Sequence, residues 1–165
     1  MMETIYLETT IVGHLVGRIR RDPLIAARQQ VTRDWWRDEA SKYTVLISQL
    51  VLDECSDGDP EAAAERLEVV KNLDLIEVSD DVDALAAALI AGNAVPASEP
   101  RDAFHIAISA VNGINYLLTW NFKHIANASL RERIEQVCRE AGFDPPVICT
   151  PEELMGNDDG SESDH

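Results

Sequence analysis

The chain has 165 residues, 45% hydrophobic and 27% charged, which suits a single globular domain and argues against two domains, a disordered chain or a fibrous one. Thirty Asp and Glu against fourteen Lys and Arg give a net charge of −16, and because nonspecific nucleic-acid affinity comes from basic surface, generic polyphosphate binding is excluded and any such contact must be local. No run of about 18 apolar residues occurs, no basic segment and apolar run open the chain, and Cys55, Cys138 and Cys149 lack the spacing of zinc or disulfide frameworks, so a cytoplasmic protein free of any membrane is expected.

Thr4 to Leu7 is a short β-prone run that ends in the polar Glu8-Thr9-Thr10, after which Ile11, Val12, Leu15 and Val16 take helical spacing. Pro23 suits the first turn of a longer helix reaching about Lys42, with Leu24, Ala27, Val31 and Trp35 on its inner face and Trp36 at the rim. Tyr43 to Ile47 is a second strand, and Ser48 caps a short helix carrying Leu50, Val51 and Glu54. The turn Asp57-Gly58-Asp59-Pro60 opens a helix through Asn72, and Leu75 to Val78 returns as a third strand.

Asp80, Asp81 and Asp83 complement the dipole of an Ala- and Leu-rich helix that ends at Gly92, and the loop from Asn93 to Pro100 is a candidate rim. Arg101 to Val111 is helical, and Tyr116 to Thr119 is a fourth strand leading into Trp120-Asn121-Phe122. A helix from Leu130 to Ala141 and a short strand from Val147 to Cys149 follow, with a final helical turn from Pro151 to Met155. The expected domain therefore spans 1–155, and 156–165 reads as an acidic, disordered tail. Strands alternating with helices imply a three-layer α/β/α sandwich around a mostly parallel sheet of about five strands, with its chemistry at the carboxyl ends of the strands.

Glu8 after the first strand, Glu54 one turn beyond the second, Asp102 opening a helix and Asn121 after the fourth strand should gather at that edge. Carboxylates within a few ångströms of one another must take up protons or bind a cation, and oxygen ligands suit Mg²⁺ or Mn²⁺. A metal so held can generate a nucleophilic water and neutralise a leaving oxygen, which is nuclease chemistry. Singly, each acid is equally readable as a helix cap or surface charge, and Asn121 as a plain N-cap.

The stretches Ile5-Tyr6-Leu7-Glu8-Thr9-Thr10, Ile47 to Glu54, Asp102-Ala103-Phe104-His105-Ile106-Ala107 and Leu117-Leu118-Thr119-Trp120-Asn121 resemble, in order, the four motifs of PIN domains, and most nearly those of VapC-like toxins. The resemblance covers Thr4 to Pro151. It implies a PIN-type fold and a Mg²⁺- or Mn²⁺-dependent endoribonuclease with Glu8, Glu54, Asp102 and Asn121 as catalytic and metal-binding residues. It also implies an RNA substrate, a homodimer and a cognate antitoxin. Thr9 and Thr119 would hold the ligands through hydrogen bonds.

The family pattern has Asp where this chain has Glu8, and often Asp where it has Asn121. These departures leave open a PIN-fold binding or regulatory module that has lost catalysis. A nucleotide-binding protein lacks support, because no Gly-rich phosphate turn follows a strand. Arg101 is read either as lowering the pKa of Asp102 and reaching a phosphate, or as a solvated charge; His105 is read as touching substrate or a ligand carboxylate, or as a half-buried histidine on a carbonyl. Arg18, Arg20, Arg21, Arg28 and Arg33 are candidates for gripping a phosphate backbone, Trp35 and Trp36 for stacking or core, while His14 and His124 lack metal-like spacing.

Overall fold

A run such as Ile5-Tyr6-Leu7 is short and apolar without alternation, the pattern of a strand covered on both faces, and all three residues are fully buried. In the computed structural model, which describes residues 2–155, this strand lies at the centre of the sheet. The tail expected over 156–165 lies outside the described residues.

Along the chain the elements run β1 (Thr4–Leu7), α1 (Thr9–Leu15), α2 (Pro23–Asp38), a 3₁₀ turn (Ala40–Lys42) and β2 (Thr44–Ile47). Next come α3 (Gln49–Cys55), α4 (Pro60–Val70), β3 (Asp74–Leu75), α5 (Asp80–Ala91) and α6 (Pro100–Val111). Then follow β4 (Tyr116–Leu118), α7 (Ala128–Glu140) and β5 (Val147–Cys149), and the chain turns helical again from Pro151 to Met155.

The five strands are ordered β3-β2-β1-β4-β5 and every pairing is parallel, so the expected three-layer α/β/α sandwich is the architecture found. Helices α1 to α4 pack among themselves and α5 to α7 among themselves. Right-handed crossovers put the two groups on opposite faces, because the chain moves one way from β1 to β3 and the other way from β3 to β5. That reversal makes the gap between the carboxyl ends of β1 and β4 the topological switch point, where a parallel sheet opens a crevice. Backbone bonds extend the sheet past the strand ends here, Glu8 N–H to the Leu118 carbonyl at 3.1 Å and Thr119 N–H to the Cys149 carbonyl at 3.0 Å. No helix among the described residues is long and apolar enough to cross a membrane.

Helix α2 departs from the inner face read off its sequence. Leu24 and Ala27 are exposed, and the buried positions are Gln29, Thr32 and Trp35. The helix is anchored by polar groups with internal partners: Gln29 accepts the Arg20 N–H at 2.8 Å and donates to the Arg18 carbonyl at 3.1 Å, and Thr32 accepts the Trp120 indole N–H at 2.8 Å. It also stops earlier, where the Glu39 N–H bonds to the Trp35 carbonyl and the chain tightens into the 3₁₀ turn rather than continuing to Lys42. The third strand is shorter than expected and shifted, with Leu75 exposed at the sheet edge and Val78 exposed beyond the strand. Helix α7 starts two residues before Leu130, where Asn127 accepts the Ser129 N–H at its N-terminus.

Candidate functional site

Glu8 is the residue before α1, and its side chain turns back across the switch point rather than capping the helix. Its Oε1 accepts hydrogen bonds from the Thr119 hydroxyl at 2.6 Å and from the Thr10 hydroxyl. Glu8 is only 4% exposed, so these two donors stand in for the water its carboxylate lost on burial. Thr10 is itself fixed, its oxygen accepting the Trp120 N–H at 2.9 Å.

Glu54 lies on α3, and its Oε1 accepts from the Thr9 hydroxyl at 2.7 Å and contacts His105 Nε2 at 2.6 Å. Burial pushes the Glu54 carboxyl up, but His105, Thr9 and Arg101 outweigh it and hold it below the ordinary carboxylate value. His105 is fully buried, so the half-buried alternative does not hold; it touches the Glu54 carboxylate and, on Nδ1, the Tyr6 hydroxyl at 2.7 Å. Burial also raises the Tyr6 phenol well above its usual pKa, which keeps it protonated. The Arg101 guanidinium reaches Asp57 at 3.4 Å and Glu54 at 3.9 Å.

Asp102 stands in the first turn of α6, and its Oδ2 meets His124 Nδ1 at 2.9 Å. Asn121 Oδ1 accepts the His124 N–H at 3.0 Å, closing a turn that carries the imidazole toward Asp102. Glu8, Thr9, Glu54, Arg101, Asp102 and Asn121 all line one open cleft of about 450 Å³ at the switch point. A smaller depression of about 220 Å³, lined by residues including Thr10, Gly13, His14 and Arg20, shares Thr10 and Gly13 with that cleft.

Glu8, Glu54 and Asp102 share one cleft, and Asp102 also belongs to a tighter group. Among the described residues, the set whose potential ligand atoms all lie within 4.8 Å of one another is Glu99, Asp102 and His124. Glu8 and Glu54 share the cleft with Asp102, but threonine hydroxyls and His105 tie each of them to its own wall. His124 lacks metal-like spacing in the sequence because its contact arises from the Asn121 turn, and the offset Asn121-x-x-His124 is the sequence signal for it. Glu99, three residues before Asp102 at the α6 entry, falls in the stretch that the sequence offers only as a rim loop.

Not all the arginines fit a phosphate-gripping role. Arg33 donates to the carbonyls of His14, Val16 and Gly17 at 3.2, 3.0 and 2.8 Å, closing the end of α1. The Arg28 guanidinium lies 5.5 Å from the Trp120 ring centroid and 4.8 Å from that of Phe122. Arg18, Arg20 and Arg21 are exposed. Trp35 is wholly core, so base stacking there is ruled out, and Trp36 is half-buried beside it. Cys55, Cys138 and Cys149 are buried free thiols. The chain matches no family model, no curated protein and no solved structure.

Proposed function

We propose that the chain is a divalent-metal-dependent endoribonuclease of the PIN type, the toxin of a toxin–antitoxin pair. One observation carries this reading: three carboxylates from three separate stretches of the chain line one cleft at the switch point, and each has one oxygen engaged in hydrogen bonds. Glu8 Oε1, Glu54 Oε1 and Asp102 Oδ2 take those bonds. The second oxygen of each takes no hydrogen bond from the described residues, Glu54 Oε2 having only Arg101 at 3.9 Å, and single carboxylate oxygens around a small hard cation suit Mg²⁺ or Mn²⁺.

Glu8, Glu54 and Asp102, with Asn121 beside them, would hold the metal, and Asp102 also belongs to the tight group with Glu99 and His124. A divalent ion in such a site supplies an activated water and charge neutralisation for phosphodiester hydrolysis. The protein's own residues contribute placement: Thr9, Thr10, Thr119 and His105 orient the carboxylates, and Arg20, at the adjoining depression, is suited to a phosphate of an RNA strand. With a net charge of −16, the protein should act on one or a few structured RNAs rather than on RNA in general.

A homodimer, a cognate antitoxin and a cytoplasmic location belong to the same proposal. Exposed Leu24 and Phe122 border a depression of about 240 Å³ and offer apolar surface for a protein contact. The competing reading, a binding module without catalysis, is favoured by the Asn121 oxygen being engaged by the His124 N–H and by Glu8 standing where the PIN pattern has Asp. Calorimetric titration of Mn²⁺ into wild type and Asp102→Ala, followed by RNA cleavage with the same samples, separates the two. Binding and cleavage by wild type alone support the nuclease; wild type that binds no metal at millimolar concentration leaves the binding module.

A further inference from the structure

Behind the cleft, Ser48, Tyr6, His105 and Glu54 form one chain of hydrogen bonds. Ser48 Oγ is 2.8 Å from the Tyr6 hydroxyl, that hydroxyl is 2.7 Å from His105 Nδ1, and His105 Nε2 is 2.6 Å from Glu54 Oε1. Ser48, Tyr6 and His105 are all 0% exposed, so no bulk water corrects an unmatched proton.

Proton bookkeeping fixes the direction of the chain. Ser48 Oγ accepts the Val51 N–H at 3.4 Å, and among the described residues the Tyr6 oxygen is the acceptor in reach of the Ser48 hydroxyl proton, so that proton goes to Tyr6. Tyr6 then gives its own proton to His105 Nδ1, and the imidazole carries its proton on Nε2 and donates it to Glu54. The opposite tautomer would set a bare nitrogen against a carboxylate oxygen.

We infer that Ser48 and Tyr6 hold His105 with its proton on Nε2 and Nδ1 as acceptor, and that His105 thereby fixes Glu54 so that it offers the cleft a single oxygen. His105 is on this account a positioning residue for a metal-binding carboxylate, and the role rests on the metal site proposed above. Thr9 donates to the same Oε1 at 2.7 Å, so both donors converge on one oxygen and Oε2 is the one that remains, with Arg101 at 3.9 Å. A carboxylate held to one oxygen favours the small octahedral ions over Ca²⁺, which takes bidentate carboxylates readily.

The test has a metal-free arm and a metal arm. Long-range ¹H–¹⁵N NMR on histidine-labelled, metal-free wild type at neutral pH should give His105 the Nε2–H pattern; an Nδ1–H or imidazolium pattern overturns the inference while leaving the metal reading intact. Tyr6→Phe, which keeps the buried ring, should mix the tautomers and weaken Mn²⁺ on the order of tenfold while weakening Ca²⁺ less. His105→Leu should lose Mn²⁺ to a similar degree and His105→Gln, which restores a donor, should recover most of it. Equal losses for Mn²⁺ and Ca²⁺, or for Leu and Gln, reduce His105 to a packing residue and overturn the role. Wild type that binds no Mn²⁺ overturns the metal reading and the positioning role together, whichever tautomer the metal-free spectrum gives.

Discussion

The Thr119 hydroxyl, one residue past β4, donates to Glu8 Oε1, one residue past β1, at 2.6 Å. The bond ties the carboxyl ends of the two strands that flank the switch point, and both residues are buried, Thr119 at 0% and Glu8 at 4% exposure. Thr119→Val keeps the shape and removes the donor, leaving a buried carboxylate short of a partner. The expected loss is about 1–3 kcal/mol of stability in urea titration, with Thr119→Ser near wild type. A Val variant as stable as wild type would mean that Thr10 alone satisfies Glu8.

His124 adds nitrogen to an otherwise oxygen-rich site, where its Nδ1 lies 2.9 Å from Asp102 and Glu99 completes the tight group. Imidazole suits transition ions better than Mg²⁺. His124→Ala should therefore weaken Mn²⁺ on the order of tenfold and Mg²⁺ by clearly less, measured by calorimetry on metal-stripped protein. Identical losses for the two ions would show that the imidazole is no ligand.

Much of the fold is legible in the sequence because β1, β2, β4 and β5 are short, largely apolar runs closed by a polar residue, and Leu7-Glu8-Thr9 is a clear case. The same logic brings Glu8, Glu54 and Asp102 to one cleft, since strand order alone sends them to one edge. The inner face of α2 is not legible, because hydrophobic periodicity has no means of marking Gln29 and Thr32, buried polar residues whose partners lie in a loop and on Trp120. The arrangement around Asp102 is also hidden. It depends on a side-chain oxygen of Asn121 closing a turn, a local choice that composition does not record.

Arg33 and Arg20 look alike in the sequence and are used differently. Arg33 binds three backbone carbonyls at the end of α1, whereas Arg20 is exposed beside the cleft. Arg33→Gln should cost about 1–3 kcal/mol in urea titration, since several charge-assisted bonds are lost. Arg20→Gln should change stability by less than about 0.5 kcal/mol yet weaken RNA binding and lower the salt-dependence slope by about 1. An Arg20 variant that binds RNA with an unchanged slope would move the phosphate path elsewhere.

The three thiols should be silent in the folded protein. Burial pushes Cys55 and Cys138 up to about 11 and Cys149 up to about 12, so the reactive thiolate is scarce at neutral pH and the sulfurs are shielded as well. Treatment with a thiol-specific disulfide reagent at pH 8 should label none of them at once in buffer and all of them in denaturant. Rapid labelling of the native protein would contradict the burial of the sites.

His14 gives the protein a pH dependence whose sign can be worked out. Burial lowers its pKa, the hydrogen bond to the Thr10 carbonyl partly opposes that, Arg28 and Arg33 add to the lowering, and Glu8 offsets it. The folded state therefore takes up its proton at lower pH than the unfolded chain does. Between the ordinary histidine value of about 6.5 and the lower native value, the unfolded state binds more protons, so stability rises with pH across that window and is lost as pH falls through it. Urea titrations at pH 7.5 and 5 should show wild type losing more stability on acidification than His14→Gln, which cannot titrate. Because the arginines facing His14 are part of the lowering, raising the salt concentration should shrink the difference between the two proteins. Equal losses for the two proteins at low salt would mean that His14 titrates alike in the folded and unfolded chain.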